Sequence, residues 1–239
     1  MLNGKTVYAL IPARGGSKGI PRKNLYRLGN DTLLERTIKL AKACRYVDSV
    51  VVSTDDAEMH ELAKKYGVNM PAPRPAHLAT DTARTVDVVL HVMEEMSIND
   101  AYIFLLQTTS PLRTLADAEG VCGLLEKNTG KADAVASVVR HDSPHPDKIQ
   151  KIDGGYLKSY LGKESLVARQ SLPEVYALNG AFYITHTGVL LRERTFMPEH
   201  TLPFVMPKER SVNLDGMMDL YLIEALVTKG IVRIEEYAT

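Results

Sequence analysis

Cysteine is scarce in this 239-residue chain. There are two, Cys44 and Cys122, too few for a disulfide framework or a four-thiolate zinc site. Both fall in stretches with helical patterning and are expected to be buried thiols. Net charge is also missing: Lys and Arg total 29, as do Asp and Glu. That balance argues against a globally basic nucleic-acid binder and against an acidic disordered tail. No long apolar run occurs. The longest spans residues 101–106, six residues, far short of the ~20 needed to cross a bilayer. The apolar stretch after Lys5 is five residues long and ends at Pro12, shorter than the ~7–15 residues of a secretory core. These absences lead us to expect a cytoplasmic protein with no membrane contact. What the chain does have is 45% hydrophobic residues, enough at this length for a sizeable core without staples.

Short β-branched runs alternate with helical patterns. Strands are expected at 6–11, 49–54, 102–106, 134–139, 181–184 and 231–235. Helices are expected at 32–43, 56–66, 85–96, 115–126 and 217–227. The first helix opens on Thr32 with Glu35 three residues on, a capping-box spacing. The second stops at Gly67, whose missing Cβ suits a left-handed cap. Alternation of this kind predicts an α/β fold: a mostly parallel twisted sheet with helices on both faces. The pattern breaks over about 140–175, which reads as an insertion within one domain spanning 1–239. A segment unable to build its own core is expected to pack on a second copy of the chain.

Charge is unevenly placed. Residues 1–30 hold Lys5, Arg14, Lys18, Arg22, Lys23 and Arg27 and no Asp or Glu. Four of these cations lie in the glycine-bearing loop after the first strand, where open parallel sheets hold ligands. Glycines allow backbone N–H groups close to an anion, and Arg and Lys add charge-assisted bonds, so a polyphosphate is the economical ligand. The bland alternative is a solvated basic loop. Lys18 precedes Gly19, so this is not a P-loop, and Gly15-Gly16-x-x-Gly19 is not a dinucleotide fingerprint. The loop lacks the interleaved aromatics of a single-strand binder. His141 and His145 flank Asp142 in a Pro-rich loop, which is more often polar than metal-binding.

The loop 11–24, Ser53-Thr54-Asp55, and Arg74-Pro75 with Leu78 and Asp81 occur here in sequence. They are followed by Leu106-Gln107-Thr-Thr-Ser110-Pro111, Arg169-Gln170 and Leu178-Asn179-Gly180-Ala181. Taken together, this ordered set resembles the acylneuraminate cytidylyltransferases, or CMP-sialic acid synthetases, over residues 6–235. That group includes enzymes for legionaminic acid and other bacterial relatives of sialic acid. Octulosonic acid enzymes share the fold, but the Gln107–Ser110 and Arg169-Gln170 motifs match the nonulosonic group better.

The resemblance implies a Rossmann-like nucleotidyltransferase with an inserted dimerisation arm, acting as a homodimer. CTP and a nine-carbon 2-keto sugar acid would give a CMP-sugar and pyrophosphate. It assigns Arg14, Gly16, Ser17, Lys18, Lys23 and Asn24 to the nucleotide phosphates and ribose. Arg74, Ala83 and Thr85 would read the base; Thr85 could alternatively cap its helix. Gln107, Ser110, Arg169, Gln170, Tyr176 and Asn179 would surround the sugar, with Asn179 read as structural on residue chemistry alone. Arg113 reads as a surface charge. The family carries an Asp-x-Asp metal pair, and here the first position is Asn213, with Asp215 second. Mg²⁺, or Mn²⁺ in its place, would therefore rest chiefly on Asp215, which could also be the N-cap of the last helix. Arg14, Lys23 and Asp215 are the expected catalytic groups. The Asn213 change leaves open a CTP-binding regulator without catalysis, and the acceptor could be N-acylneuraminic, legionaminic or pseudaminic acid.

Overall fold

The computed structural model describes residues 1–162, 168 and 171–237. Strand β1 (Val7–Pro12) lies inside a six-stranded sheet, with β4 (Ser49–Ser53) on one side and β5 (Tyr102–Leu105) on the other, both parallel to it. Beyond β5 come β9 (Tyr176–His186), then β6 (Ala134–Arg140) and the edge strand β10 (Thr201–Met206). β9 runs antiparallel to both neighbours, and β10 pairs parallel with β6. Five strands thus share one direction and one is reversed. A small ribbon of β2 (Arg27–Leu28) and β3 (Asp31–Thr32) leads into the first helix.

Alternate residues of each central strand explain why helices cover both faces. Val7, Ala9 and Ile11 of β1 join Val50, Val52 and Phe104 in one core, where α1 (Leu33–Ala43), α2 (Ala57–Lys65) and α4 (Leu115–Lys127) pack. Leu10, Val51, Ile103 and Leu105 point the other way, onto α3 (Thr85–Glu95) and α5 (Thr187–Glu193). This is the period-two pattern of strands buried on both sides. Helix α6 (Met217–Thr228) packs Leu220 and Ile223 on a third cluster with Ile20, Leu33 and Leu112. Cys44 and Cys122 are free and buried. Among the described residues, no helix is long and apolar enough to cross a membrane.

The capping box at Thr32 and Glu35 forms, and Gly67 ends α2's turn at φ 63°. One expectation needs correction, and one strand was not expected. Residues 231–235 are not a strand: Val232 is buried in the third cluster, and among the described residues no strand pairs with the segment. The sheet edge is instead β10, whose Pro203 disguised it. Proline is tolerated in an edge strand because one side needs no ladder partner. The segment between β6 and β9 is closed at its neck by His141 N–H to the Val175 carbonyl (2.9 Å) and carries the hairpin β7 (Gln150–Asp153) and β8 (Tyr156–Ser159).

Candidate active site

The carboxyl ends of β1, β4 and β5 open onto one cleft. The loop after β1 is held there by its backbone: Ala13 N–H donates to the Ser53 carbonyl (2.9 Å) and Gly15 N–H to Asp55 Oδ1 (2.9 Å). Asn24 braces the loop from inside. Its Nδ2 donates to the Arg14 carbonyl at 2.8 Å, and its Oδ1 accepts from the Thr108 hydroxyl. The far side of the cleft is the segment before α6. Lys23 Nζ donates to the Leu214 carbonyl (2.6 Å) and stands 3.5 Å from Asp215 Oδ1, while Leu214 N–H donates to the Thr109 carbonyl (2.7 Å). Gly19 makes this approach feasible, because a Cβ there would lie 1.8 Å from the Asp215 carbonyl oxygen. The β1 loop, the β5 loop and the Asp215 segment are therefore laced together.

The cleft measures about 310 Å³, within the size range of small-molecule sites. Of the expected residues it gathers Arg14, Gly16, Ser17, Lys23 and Asn24 with Arg74, Ala83, Thr85, Gln107, Asn213 and Asp215. Arg74 is buried beside β4, its Nε donating to Ser53 Oγ (3.1 Å) and an amino group to the Ser53 carbonyl (2.5 Å). Burial, and then the Arg14 charge, lower its pKa, although Asp55 works in the opposite direction. Thr80, Asp81, Thr108 and Thr109 also line the cleft. Sequence reading gave them no role, although the Asp81 motif and the run after Gln107 both drew notice.

Four other expected site residues do not line it. Lys18 is 83% exposed and pairs with Asp81 at 2.6 Å. Ser110 is buried, donating to the Asn179 carbonyl (3.3 Å). Tyr176 is half exposed, with its hydroxyl on Glu174 (3.1 Å). Asn179 is an internal hub: its Oδ1 accepts from the Ser137 hydroxyl (2.6 Å) and Ala181 N–H, and its Nδ2 donates to Ser211 Oγ (3.0 Å). Arg169 and Gln170 lie outside the described residues.

Three local readings are corrected. Thr85 is the first residue of α3 and Arg84 occupies the cap position, so the threonine hydroxyl is not committed as an N-cap. Asp215 does not cap α6 either. Gly216 holds that position, and Asp219 accepts from the N–H groups of Asp215 and Gly216. Arg113 is 4% exposed, not a surface charge. It donates to the Ala181 carbonyl (2.8 Å) and Thr37 Oγ1 (3.1 Å) and lies 5.4 Å from the Phe182 ring centroid. Burial pushes its pKa down to about 9. His141 and His145 each contact a backbone carbonyl, of Pro144 and Pro173.

The donor set beside Lys23 fits a hard cation. Asn213 Oδ1 is buried with no partner among the described residues, while its Nδ2 donates to Asp215 Oδ2 (2.6 Å). A lone buried carbonyl oxygen next to a 71%-exposed carboxylate is an oxygen-only pair suited to Mg²⁺. A Cβ at Gly180 would stand 3.0 Å from Gln107 Oε1 and 3.6 Å from Asn213 Oδ1, so the amides of both meet over Gly180.

Comparison with known proteins agrees with this geometry. A family profile described as cytidylyltransferase matches residues 8–201. The chain is 31% identical over 230 residues to the CMP-N,N'-diacetyllegionaminic acid synthase of Legionella pneumophila, covering 92% of this chain and 96% of that one. It is 32% identical over 220 residues to an N-acylneuraminate cytidylyltransferase of Escherichia coli, covering 90% of this chain and 51% of that protein. Among solved structures, a CMP:2-keto-3-deoxy-manno-octonic acid synthetase complexed with CTP superposes with a TM-score of 0.68 at 16% identity. That match covers 94% of this chain and 99% of the other, and it supports the fold. An anion-ready loop facing an oxygen-ligand pair, on this sheet and with this family match, means that the chain belongs to the cytidylyltransferase family of CTP-dependent nucleotidyltransferases.

Proposed function

We propose that the chain activates a nonulosonic acid: CTP and an N-acylneuraminate-type sugar acid give the CMP-sugar and pyrophosphate. The observation that carries this reading is the convergence of Arg14, Ser17 and Lys23 with Asn213, Asp215 and Gln107 on one cleft. Cationic, carboxylate and amide groups therefore face one shared space. The anomeric hydroxyl oxygen attacks the α-phosphorus. A new O–P bond forms, the bridge to the β-phosphate breaks, the electron pair leaves with pyrophosphate, and the hydroxyl proton passes to solvent. Arg14 and Lys23 bind and hold the phosphoryl oxygens, so their charge is already oriented where negative charge builds. Lys23 is well placed because the Leu214 carbonyl fixes its ammonium at 2.6 Å. Arg74, Ala83 and Thr85 would face the pyrimidine. Gln107 would face the sugar, joined by Arg169 and Gln170, with the Arg169 guanidinium suited to a carboxylate.

Asp215 and Asn213 would hold Mg²⁺, or Mn²⁺ in its place. When bound, it neutralises phosphate charge as a Lewis acid. The same reading makes the enzyme a cytoplasmic homodimer, with the segment between β6 and β9 as its arm. A second acceptor is favoured by one observation: the match to the legionaminic acid enzyme spans 96% of that protein, against 51% of the neuraminate enzyme. Pyrophosphate release with CTP and Mg²⁺, comparing N-acetylneuraminic acid with diacetyllegionaminic acid, decides between them through the ratio of kcat/KM. We expect release with one of the two. Tight CTP binding with no release from either would leave only another acceptor, such as pseudaminic acid, or a binding protein without turnover.

A further inference from the structure

The first thirty residues contain no carboxylate, yet the loop's cations are not left bare. One oxygen of Asp81 lies 2.6 Å from an Arg14 amino group, and the other lies 2.6 Å from Lys18 Nζ. Asp81 reaches them from a separate stretch of chain, the irregular segment between the 3-10 turn Ala76–Leu78 and α3. It lines the cleft together with Arg14, Ser17 and Lys23. A carboxylate with one oxygen on each of two cations occupies the position that two oxygens of a phosphoryl group would take. Lys18 and then Arg14 hold its pKa below the ordinary carboxylate value, so it is ionised wherever nucleotide would be.

We propose that Asp81 is a displaceable counter-ion: it holds Arg14 and Lys18 in place while the cleft is empty, yields them to the incoming triphosphate, and reclaims them as pyrophosphate leaves. This rests on reading the cleft as a nucleotide triphosphate site. The displacement is feasible because the carboxylate is 39% exposed and can turn into water once its partners are taken. The arrangement also has a cost for binding. Any polyphosphate must displace two existing ion pairs of the protein before it gains its own, and an unpaired carboxylate left nearby would repel it. Asp81 therefore lowers the affinity for CTP and for pyrophosphate together. That loosens the ground states and favours product release, so Asp81 is a positioning residue and not a catalytic one.

The test is calorimetric titration of inorganic pyrophosphate and of CTP with Mg²⁺ into the full chain, for wild type, Asp81→Asn, Asp81→Ser and Asp81→Glu, with melting curves for each. Both neutral variants should bind pyrophosphate on the order of tenfold tighter, and steady-state inhibition by pyrophosphate should strengthen in step. Asp81→Glu, which keeps the charge, should stay near wild type. A merely structural aspartate would give the opposite sign, since loosening the loop weakens binding. Unchanged or weaker pyrophosphate binding in folded Asp81→Asn and Asp81→Ser overturns the counter-ion role while leaving the nucleotide site intact. If wild type binds neither CTP nor pyrophosphate, the triphosphate reading fails, and this inference fails with it.

Discussion

Asn213 and Asp215 present two oxygens of different character two residues apart, tied by the amide-to-carboxylate bond at 2.6 Å. The amide satisfies part of the Asp215 charge internally, which a second carboxylate could not do. Asn213→Asp would place two anions side by side, beside Lys23 as the nearest cation. Without a divalent ion they repel, and with one they bind it better. The variant should melt lower than wild type in EDTA and should show a larger upward shift in Tm on adding Mg²⁺. Its half-saturating Mg²⁺ in the pyrophosphate assay should fall about tenfold, from the added ligand charge. Equal Mg²⁺ shifts in both proteins would remove this pair from metal binding. Residue identity alone pointed to the pair, but the orphaned Asn213 oxygen is legible only in three dimensions. Arg113 shows the opposite limit. An arginine following Ser-Pro-Leu reads as exposed, yet the fold encloses it against Thr37 and Ala181, partners 76 and 68 positions away.

Helices and strands were legible where the signal is local. The Thr32 box and the Gly67 stop each act within four residues, and each forms. What escaped depends on partners. β9 extends from Tyr176 through a left-handed Gly180 (φ 73°), and a register shift opposite Ala136–Val138 blurs its alternation. The 231–235 run has strand composition, but Val232 is drawn into the third cluster and the run pairs with no strand among the described residues. Another partner-dependent tie links α3 to α5. Asp87 contacts Arg84 at the start of α3 through both oxygens (2.8 Å each) and Arg194, the left-handed residue ending α5, at 2.9 Å. Arg84 first, with Arg194 adding to it, holds the Asp87 pKa down to about 2, below its ordinary value of 3.8. A depressed carboxylate contributes stability that is fully present above its unfolded pKa and is lost as pH falls through the folded one. Asp87→Asn should therefore cost about 0.5–1 kcal/mol at pH 7, a modest figure because the pair is partly solvated. The gap to wild type in urea melts should close between pH 4 and about pH 2. A gap that persists unchanged at pH 2 would mean that the loss comes from packing and not from charge.

At the scale of the whole molecule, the segment between β6 and β9 leaves apolar side chains uncovered among its described residues. Its hairpin exposes Ile152 at 78%, Tyr156 at 75% and Leu157 at 73%, with Tyr160 following at 65%. So many large apolar groups on a two-stranded ribbon cannot be buried by the ribbon itself, and such patches mark interfaces. If the arm packs on a second copy and carries Arg169 into that copy's cleft, each site draws Asp215 from one chain and Arg169 from the other. Two inactive variants should then rescue each other. Arg169→Ala and Asp215→Ala, each nearly without turnover alone, would on mixing and subunit exchange form dimers in which one site has both losses and the other has none. Random pairing puts such mixed dimers at half the population with one working site each, so about a quarter of wild-type activity should return in the pyrophosphate assay. If both groups of a site came from one chain, no mixed dimer would hold an intact site and mixing would restore nothing. Sedimentation of an Ile152→Glu, Leu157→Glu double variant separates the remaining cases. A monomer that melts near wild type and has lost turnover places the interface on the hairpin and makes the site dependent on it. A dimer of unchanged activity would move the interface elsewhere and leave those exposed side chains without a partner.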